Sequence, residues 1–79
     1  MDNQEKYREC FVKAFGLSPE IKVESLEYQS IEEWDSVGHM GLMTILEETF
    51  DIMLDTDDII DFSSYEKGRE ILLKYEVNI

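Results

Sequence analysis

The fold of this chain is decided by residues 34–50, which read WDSVGHMGLMTILEETF. Apolar side chains recur in this stretch at three- and four-residue spacing, the pattern of an α-helix with one buried face. We therefore predict a helix from about Ser36 to Phe50. The predicted core-facing stripe runs through Leu42, Leu46 and Phe50, with Ile45 or Met43 beside it.

A first helix is predicted from about Asn3 to Phe15, because apolar residues again recur there at helical spacing. Gly16 follows it, and glycine commonly occupies the position just after a helix end. The predicted apolar face consists of Tyr7, Cys10, Phe11, Ala14 and Phe15.

Two further helices are predicted after Phe50. The first is short, with one or two turns, and carries Ile59, Ile60 and Phe62. The second runs roughly from residue 65 to 75 and turns Ile71, Leu72 and Tyr75 toward the core. Their predicted N-caps are Thr56 or Asp57 for the short helix and Ser63 or Ser64 for the last one.

The connection between the first two predicted helices is long. Leu17–Glu20 could start a short helical turn, because proline is tolerated in a first turn. The rest is predicted to be a loop held to the core by Leu26, Ile31 and Trp34. No segment alternates long enough for a sheet, so residues 1–79 are expected to be one all-α domain. The predicted architecture is a small four-helix bundle, with three longer helices, a short third helix and a long first loop.

Composition restricts the function. Nineteen acidic residues against seven basic ones give a net charge of −12. Such a charge repels nucleic acid and anionic lipid and attracts basic protein surfaces. A chain of 79 residues also has little room for a deep active site that excludes water. We therefore expect a basic protein partner, no nucleic acid and no catalytic activity.

The compartment is inferred from what the sequence contains. The single cysteine, Cys10, cannot form an intramolecular disulfide, which suits a reducing cytosol. No stretch reaches the roughly 18 apolar residues that cross a bilayer. The acidic start, Asp2 to Glu5, is unlike the basic start of a signal peptide. We expect a soluble, cytoplasmic monomer.

Residues 55–66 match part of the pattern of a calcium-binding EF-hand loop. Asp55, Asp57, Asp61 and Glu66 fall at loop positions one, three, seven and twelve. The required glycine at position six is Ile60, and position five is Ile59 rather than an oxygen ligand. We therefore expect no metal site, and these acids are expected to cap and solvate a short helix.

Ser36 has two simple interpretations. It can cap the second helix, since serine and aspartate are preferred N-cap residues. It can also pair with His39 and Asp35 as a hydrolase, but a nucleophile needs an oriented base and an oxyanion hole, and no glycine-flanked elbow is present. His39, in the first turn, is expected to be exposed and neutral because the helix dipole disfavours its cation.

Gly38 and Gly41 are unusual within a helix, where each costs about 1 kcal/mol relative to alanine. One interpretation is that the helix tolerates the local flexibility that the two glycines introduce. The other is that they leave a bare surface beside Ser36, which an enzyme or an attached group can approach closely. Val37 and Met40 exceed what one core-facing stripe needs. They are expected to lie toward the open end near Ser36, where they both close the bundle and contact a partner.

The site Asp35-Ser36-Val37, on a helix that closes with Glu47-Glu48-Thr49-Phe50, resembles the modification site of the acyl carrier protein family. The resemblance covers nearly the whole chain. It implies that Ser36 carries 4'-phosphopantetheine taken from coenzyme A, whose terminal thiol holds an acyl group as a thioester. It also implies that Asp35 supports recognition by the phosphopantetheinyl transferase, which binds magnesium in its own site.

The same resemblance implies a docking surface on the second helix for acyl-loading and acyl-transfer enzymes with basic, apolar-rimmed patches. His39 is a further candidate for partner recognition. The matching positions in this chain are Val37, Met40, Glu47 and Glu48.

The residues around the site depart from the pattern of carriers for fatty-acid synthesis. Those carriers usually have a glycine and a small residue before the Asp-Ser pair and an acid soon after it, whereas here Glu33-Trp34 precede and Gly38-His39 follow. The stretch looks instead like free-standing carriers of polyketide, aminoacyl or surface-polysaccharide pathways. The competing hypothesis is an acidic interaction module that binds a basic partner without covalent modification.

Overall fold

The computed structural model describes residues 2–79, and within them the chain forms four α-helices and no β-strand. The all-α prediction is confirmed, including the short third helix and the long connection between the first two helices. The domain measures 28 × 28 × 19 Å along its principal axes. None of the helices in this described part is long and apolar enough to cross a membrane. The helices are α1 (Asn3–Phe15), α2 (Ser36–Phe50), α3 (Thr56–Asp61) and α4 (Tyr65–Leu73).

The two long helices begin and end where the sequence predicts. Gly16 ends α1 in the left-handed conformation, with φ of 62°. Asp51 ends α2 in the same conformation, with φ of 53°, a region that residues other than glycine rarely adopt. The predicted stripe of α2 is buried at Leu42, Met43 and Leu46, while Ile45 and Phe50 are partly buried.

Each of the two short helices differs from the prediction at one end, α3 at its N-cap and α4 at its last residue, whereas the predicted cap Ser64 of α4 is confirmed. Asp55, rather than Thr56 or Asp57, occupies the N-cap of α3, and its side chain makes no capping hydrogen bond. Ser64 caps α4, accepting a hydrogen bond from the backbone N–H of Lys67 at 2.9 Å. α4 stops at Leu73, two residues before the predicted Tyr75, because the chain tightens there into bonds between residues three apart.

The connection between α1 and α2 is a loop with one short helical piece. The helical turn predicted at Leu17–Glu20 is only a hydrogen-bonded turn, and a 3-10 turn forms instead at Val23–Ser25. Val23 is fully buried, which the sequence did not indicate. Of the three residues predicted to hold this loop to the core, Leu26 and Trp34 are buried and Ile31 is partly buried.

The core is rich in aromatic rings, and Trp34 lies among them. Its ring centroid lies 5.5 Å from that of Phe11 and 5.3 Å from that of Phe15, both on α1. Rings at such distances contribute packing energy beyond the area they bury. Because Trp34 is two residues before Ser36 and fully buried, the chain enters α2 from a fixed point.

Cys10 lies at the contact between α1 and α2. Cys10 is 2% exposed, and its thiol donates a hydrogen bond of 3.4 Å to the hydroxyl of Thr49. Burial raises the pKa of the Cys10 thiol, and the hydrogen bond with Thr49 offsets this only in part. The thiol is therefore a packed core group in the folded state.

α3 is joined by polar contacts to Lys74 and Tyr75, the residues that follow α4. The carboxylate of Asp58 accepts hydrogen bonds from Lys74 Nζ and from the hydroxyl of Tyr75, each at 2.5 Å. The same tyrosine hydroxyl accepts the backbone N–H of Asp55 at 2.9 Å. These bonds hold the pKa of Asp58 below its ordinary value, the contacts from Lys74 and Tyr75 being the main causes.

Candidate functional site

Ser36 is the first residue of α2, and its hydroxyl is not the cap of that helix. The residue before it, Asp35, has extended backbone and accepts the N–H of Gly38 on Oδ1 at 2.8 Å. The interpretation of Ser36 as the N-cap is therefore wrong, because Asp35 has that role. Ser36 itself is exposed.

A second hydroxyl, from the long loop, lies close to the Ser36 hydroxyl. The phenolic oxygen of Tyr28 lies 3.5 Å from Ser36 Oγ, at the limit of a hydrogen bond, and either group can donate. Tyr28 belongs to the segment that pairs with the residues after α3: its backbone N–H donates to the carbonyl of Ser63 at 2.8 Å. No sequence pattern singled out Tyr28.

An apolar groove of about 360 Å³ opens beside Ser36. It lies between the start of α2, the loop carrying Tyr28 and the helix α3. Lysine and arginine are not among the residues that line it, so its polar character comes from hydroxyl groups and one imidazole. Its walls are formed by Tyr28, Ser36, His39, Met40, Ile59, Ile60, Phe62 and Ser63.

His39 is half-buried at the wall of this groove, so the expectation that it is exposed is wrong. Its Nδ1 accepts the indole N–H of Trp34 at 2.9 Å. Because Nδ1 accepts, Nε2 carries the proton of the neutral ring and donates to the carbonyl of Ile59 at 2.7 Å. The imidazole thus joins α2, the preceding loop and α3, and it has no free lone pair to take a proton from Ser36.

The two glycines of α2 have different surroundings. A Cβ on Gly38 would lie 1.9 Å from the backbone oxygen of Glu33, so only glycine lets the loop come this close to the helix. Neither local flexibility nor a bare surface accounts for Gly38. Gly41 is exposed, and a Cβ added there would have no neighbouring atom within 4 Å, so the bare-surface interpretation remains open for it.

Three apolar side chains near Ser36 are exposed. Val37 is 81% exposed and Met40 is 52% exposed. Both lie outside the core cluster, so the expectation that they also close the end of the bundle is wrong for Val37, while their position near Ser36 agrees with the prediction. Ile60, on α3, is 72% exposed and lines the same groove as Met40. Exposed apolar residues that cluster, rather than occur singly, are typical of contact surfaces.

The two acids near the end of α2 also differ. Glu48 is exposed, whereas Glu47 is half-buried and accepts the backbone N–H of Leu54 on Oε2 at 2.8 Å. Glu47 therefore stabilises the turn after α2, a role that the prediction of a purely partner-binding acid did not include. Glu48 retains the position expected of a docking acid.

The acidic segment 55–66 folds as α3 and the first turn of α4 rather than as a loop around an ion. Among residues 2–79, no group of three or more histidine, cysteine, aspartate or glutamate side chains is placed to hold a metal. Asp58 is instead paired with Lys74.

The fold therefore brings only some of the predicted site residues close to Ser36. Asp35, Val37, His39 and Met40 surround Ser36, whereas Glu47 and Glu48 lie at the opposite end of α2. Sequence reasoning missed Tyr28, Ile60 and Ser63, which reach the site from other segments.

Comparison of the chain with family models, with curated proteins and with solved structures finds no match in any of the three.

Proposed function

We propose that this chain is an acyl carrier protein. Ser36 carries 4'-phosphopantetheine, and the arm presents an acyl or aminoacyl group to partner enzymes as a thioester. The observation that carries the proposal is the position of Ser36: an exposed hydroxyl at the first residue of α2, released from capping by Asp35 and open to an apolar groove. The order of helices, with a short α3 and a long first loop, supports a bundle of the acyl-carrier type.

The residues present fit the proposed group. A serine hydroxyl is the atom that the phosphodiester requires, and it is on the surface, where a modifying enzyme can reach it. The adjoining groove of about 360 Å³ suits the slender, uncharged part of the arm, because its walls are mainly apolar. When bound, the arm supplies a thiol that forms the thioester.

In the modification, the Ser36 oxygen forms a bond to the phosphorus attached to the pantetheine half of coenzyme A, and the pyrophosphate bond to the nucleotide half breaks. The hydroxyl proton passes to a base of the transferase, because His39 has both ring nitrogens in hydrogen bonds. The carrier thus contributes the acceptor oxygen and the recognition surface, and no catalysis of its own.

Partner recognition is proposed to use exposed groups at both ends of α2. Val37 and Met40 offer apolar contact beside Ser36, and Glu48 offers charge at the far end. A net charge of −12 attracts enzymes with basic docking patches over long range. Because Trp34 and His39 stand where carriers for fatty-acid synthesis usually have other residues, we propose a role in a specialised pathway. The proposed compartment is the cytoplasm.

The alternative is an acidic module that binds a basic partner without covalent modification. Incubation with coenzyme A, magnesium and a transferase of broad specificity separates the two, with mass spectrometry as the measurement. We expect one phosphopantetheine on the wild type and none on Ser36→Ala. A control carrier that is modified in the same tube, while this chain is not, would favour the alternative.

Ser30→Ala is a matched control for the serine substitution. Ser30 is exposed, as Ser36 is, but lies in the loop, where its hydroxyl bonds to the backbone of Glu27. We expect Ser30→Ala to be modified to the same extent as the wild type. Addition that persists in Ser36→Ala would move the modified residue elsewhere and contradict the proposed site.

A further inference from the structure

We propose that Tyr28 is a positioning residue for the phosphodiester on Ser36, donating a hydrogen bond to it and so directing the arm. This inference rests on the proposed function. It starts from the distance of 3.5 Å between the Tyr28 hydroxyl and Ser36 Oγ, the atom that becomes the ester oxygen. Tyr28 belongs to the loop before α2, so it reaches Ser36 from outside the helix that carries Ser36.

The Tyr28 ring is held in place on the protein surface. It packs edge-to-face with the His39 ring, with centroids 5.6 Å apart and an interplanar angle of 78°. Its backbone donates to Ser63, and the next residue, Gln29, has φ of 67° and donates its N–H to the carbonyl of Trp34 at 2.9 Å. The hydroxyl is therefore fixed near Ser36 before modification.

The charge balance explains why a neutral hydroxyl is useful here. A phosphodiester adds one negative charge to a chain whose net charge is already −12. The groove beside it has no lysine or arginine in its walls, so hydrogen-bond donors of the protein, together with solvent at this exposed position, are what can stabilise the new charge. Hydrogen bonds to an anion are roughly twice as strong as those between neutral groups, and the N-terminal end of α2 also favours negative charge.

Modification also changes which group must donate. In the unmodified protein both hydroxyls can donate or accept. After modification the Ser36 oxygen has no proton, so the Tyr28 hydroxyl is the donor and an oxygen of the phosphodiester is the acceptor. A bond on this side of Ser36 orients the arm relative to the groove that both residues line.

Tyr28→Phe tests the inference, because it removes the hydroxyl and keeps the ring that packs on His39. The unmodified and modified forms of the wild type and the variant are prepared with coenzyme A and the transferase. We expect the phosphorus NMR signal of the modified variant to move toward its position in the urea-unfolded protein. We also expect the change in melting temperature on modification to be more favourable in the wild type than in Tyr28→Phe, because only the wild type can donate the hydrogen bond from Tyr28.

Tyr75→Phe is the matched control. Its hydroxyl bonds to Asp58 and Asp55, away from the groove. This variant is expected to lose the same stability in both forms and to keep the phosphorus signal of the wild type.

A second measurement needs no variant. In the wild type, the NMR signal of the hydroxyl-bearing ring carbon of Tyr28 is compared before and after modification, and a shift is expected. An unchanged ring signal, or identical phosphorus signals in the wild type and Tyr28→Phe, would overturn the inference while leaving the carrier function intact. Failure of the wild type to accept the arm would instead refute the proposed function.

Discussion

The indole N–H of Trp34 donates a hydrogen bond of 2.9 Å to Nδ1 of His39, and the two rings are nearly parallel, with an interplanar angle of 14°. The bond joins the buried end of the long loop to the first turn of α2, on either side of Ser36. Because the second ring nitrogen donates to Ile59, the same imidazole also fixes α3. His39 is thus a structural residue of the site, and a partner can reach it only at its remaining exposed edge.

Substitution of Asp35 and of Ser36 separates capping from modification. We expect Asp35→Ala to lower the free energy of unfolding by about 1 kcal/mol, because the N–H of Gly38 loses its acceptor. Ser36→Ala is expected to change it by less than about 0.5 kcal/mol, as is usual for an exposed position. Urea unfolding followed by circular dichroism measures both. Equal losses in the two variants would mean that Ser36 contributes to the cap after all.

Gly38→Ala and Gly41→Ala are expected to act in opposite directions. The Cβ that the first substitution adds would lie 1.9 Å from the backbone oxygen of Glu33, so the loop must move, and we expect a loss of about 1–3 kcal/mol. Gly41 has open space around it, so alanine there is expected to gain up to about 1 kcal/mol. Thermal unfolding shows whether each substitution lowers or raises the stability.

The same Gly41→Ala variant tests the bare-surface interpretation. If partners need the bare backbone, the more stable variant is modified or loaded more slowly than the wild type. Unchanged rates would leave local flexibility as the explanation.

Met40 and Met43 are a matched pair on one helix. Met40 is 52% exposed and Met43 is 1% exposed. Met43→Ala is expected to cost about 2–5 kcal/mol, the usual range for truncating a buried side chain. Met40→Ala is expected to cost little and to speed dissociation from an acyl-loading enzyme, which stopped-flow kinetics would measure. A large stability loss with unchanged kinetics would place Met40 in the core rather than in the interface.

Reversal of charge at Glu48 and at Glu47 separates steering from folding. Glu48→Lys is expected to slow association with a basic enzyme and to weaken its salt dependence, because exposed charges act mainly on association rates. Glu47→Lys also removes the acceptor for the N–H of Leu54 and is expected to cost about 1–3 kcal/mol of stability. Glu47→Gln, which keeps an acceptor oxygen, is the control. Equal stability of Glu47→Lys and Glu48→Lys would contradict the role of Glu47 in the fold.

Stability at low pH is expected to depend on Asp58. Its pKa in the folded protein is below the ordinary value, chiefly because of Lys74 and Tyr75. The unfolded chain therefore takes up a proton at higher pH than the folded one, and the stabilisation is present above the ordinary pKa and lost as the pH falls through the lowered one. Asp58→Asn is expected to be less stable at neutral pH.

The measurement is the melting temperature of the wild type and of Asp58→Asn at a series of pH values. The difference in melting temperature between the wild type and Asp58→Asn is expected to shrink as the pH falls through the acid range. A difference that stays constant with pH would mean that the carboxylate charge is not what holds α3 to the residues that follow α4.

The sequence predicts those parts of the fold that depend on local pattern. α1 and α2 have regular apolar spacing and clear end signals, and their limits agree with the structure. Gly38 could not be interpreted, because the carbonyl of Glu33 that requires it arrives along a loop whose path depends on the burial of Trp34. Spacing cannot show where an irregular loop returns to a helix.

The candidate site divides in the same way. Ser36, Asp35 and the exposed apolar residues of α2 follow from position along one helix. Tyr28 and the partner of His39, Ile59, reach the site from 8 residues before Ser36 and 20 residues after His39. The sequence could not show that Glu47 stabilises the turn after α2, because a glutamate that accepts a backbone hydrogen bond and one that contacts a partner look the same in a sequence.

The rate at which the buried thiol of Cys10 is labelled reports on opening of the core. The thiolate is the form that attacks thiol reagents, and Cys10 is 2% exposed with a raised thiol pKa. Its labelling is therefore expected to be slow in the folded protein and to become faster when the contact between α1 and α2 opens. If the chain carries the proposed pantetheine arm, the free thiol at its end is expected to react faster, because it is not packed in the core. A single time course with a coloured disulfide reagent would thus count the arms in a fast phase and report opening of the core in a slow one.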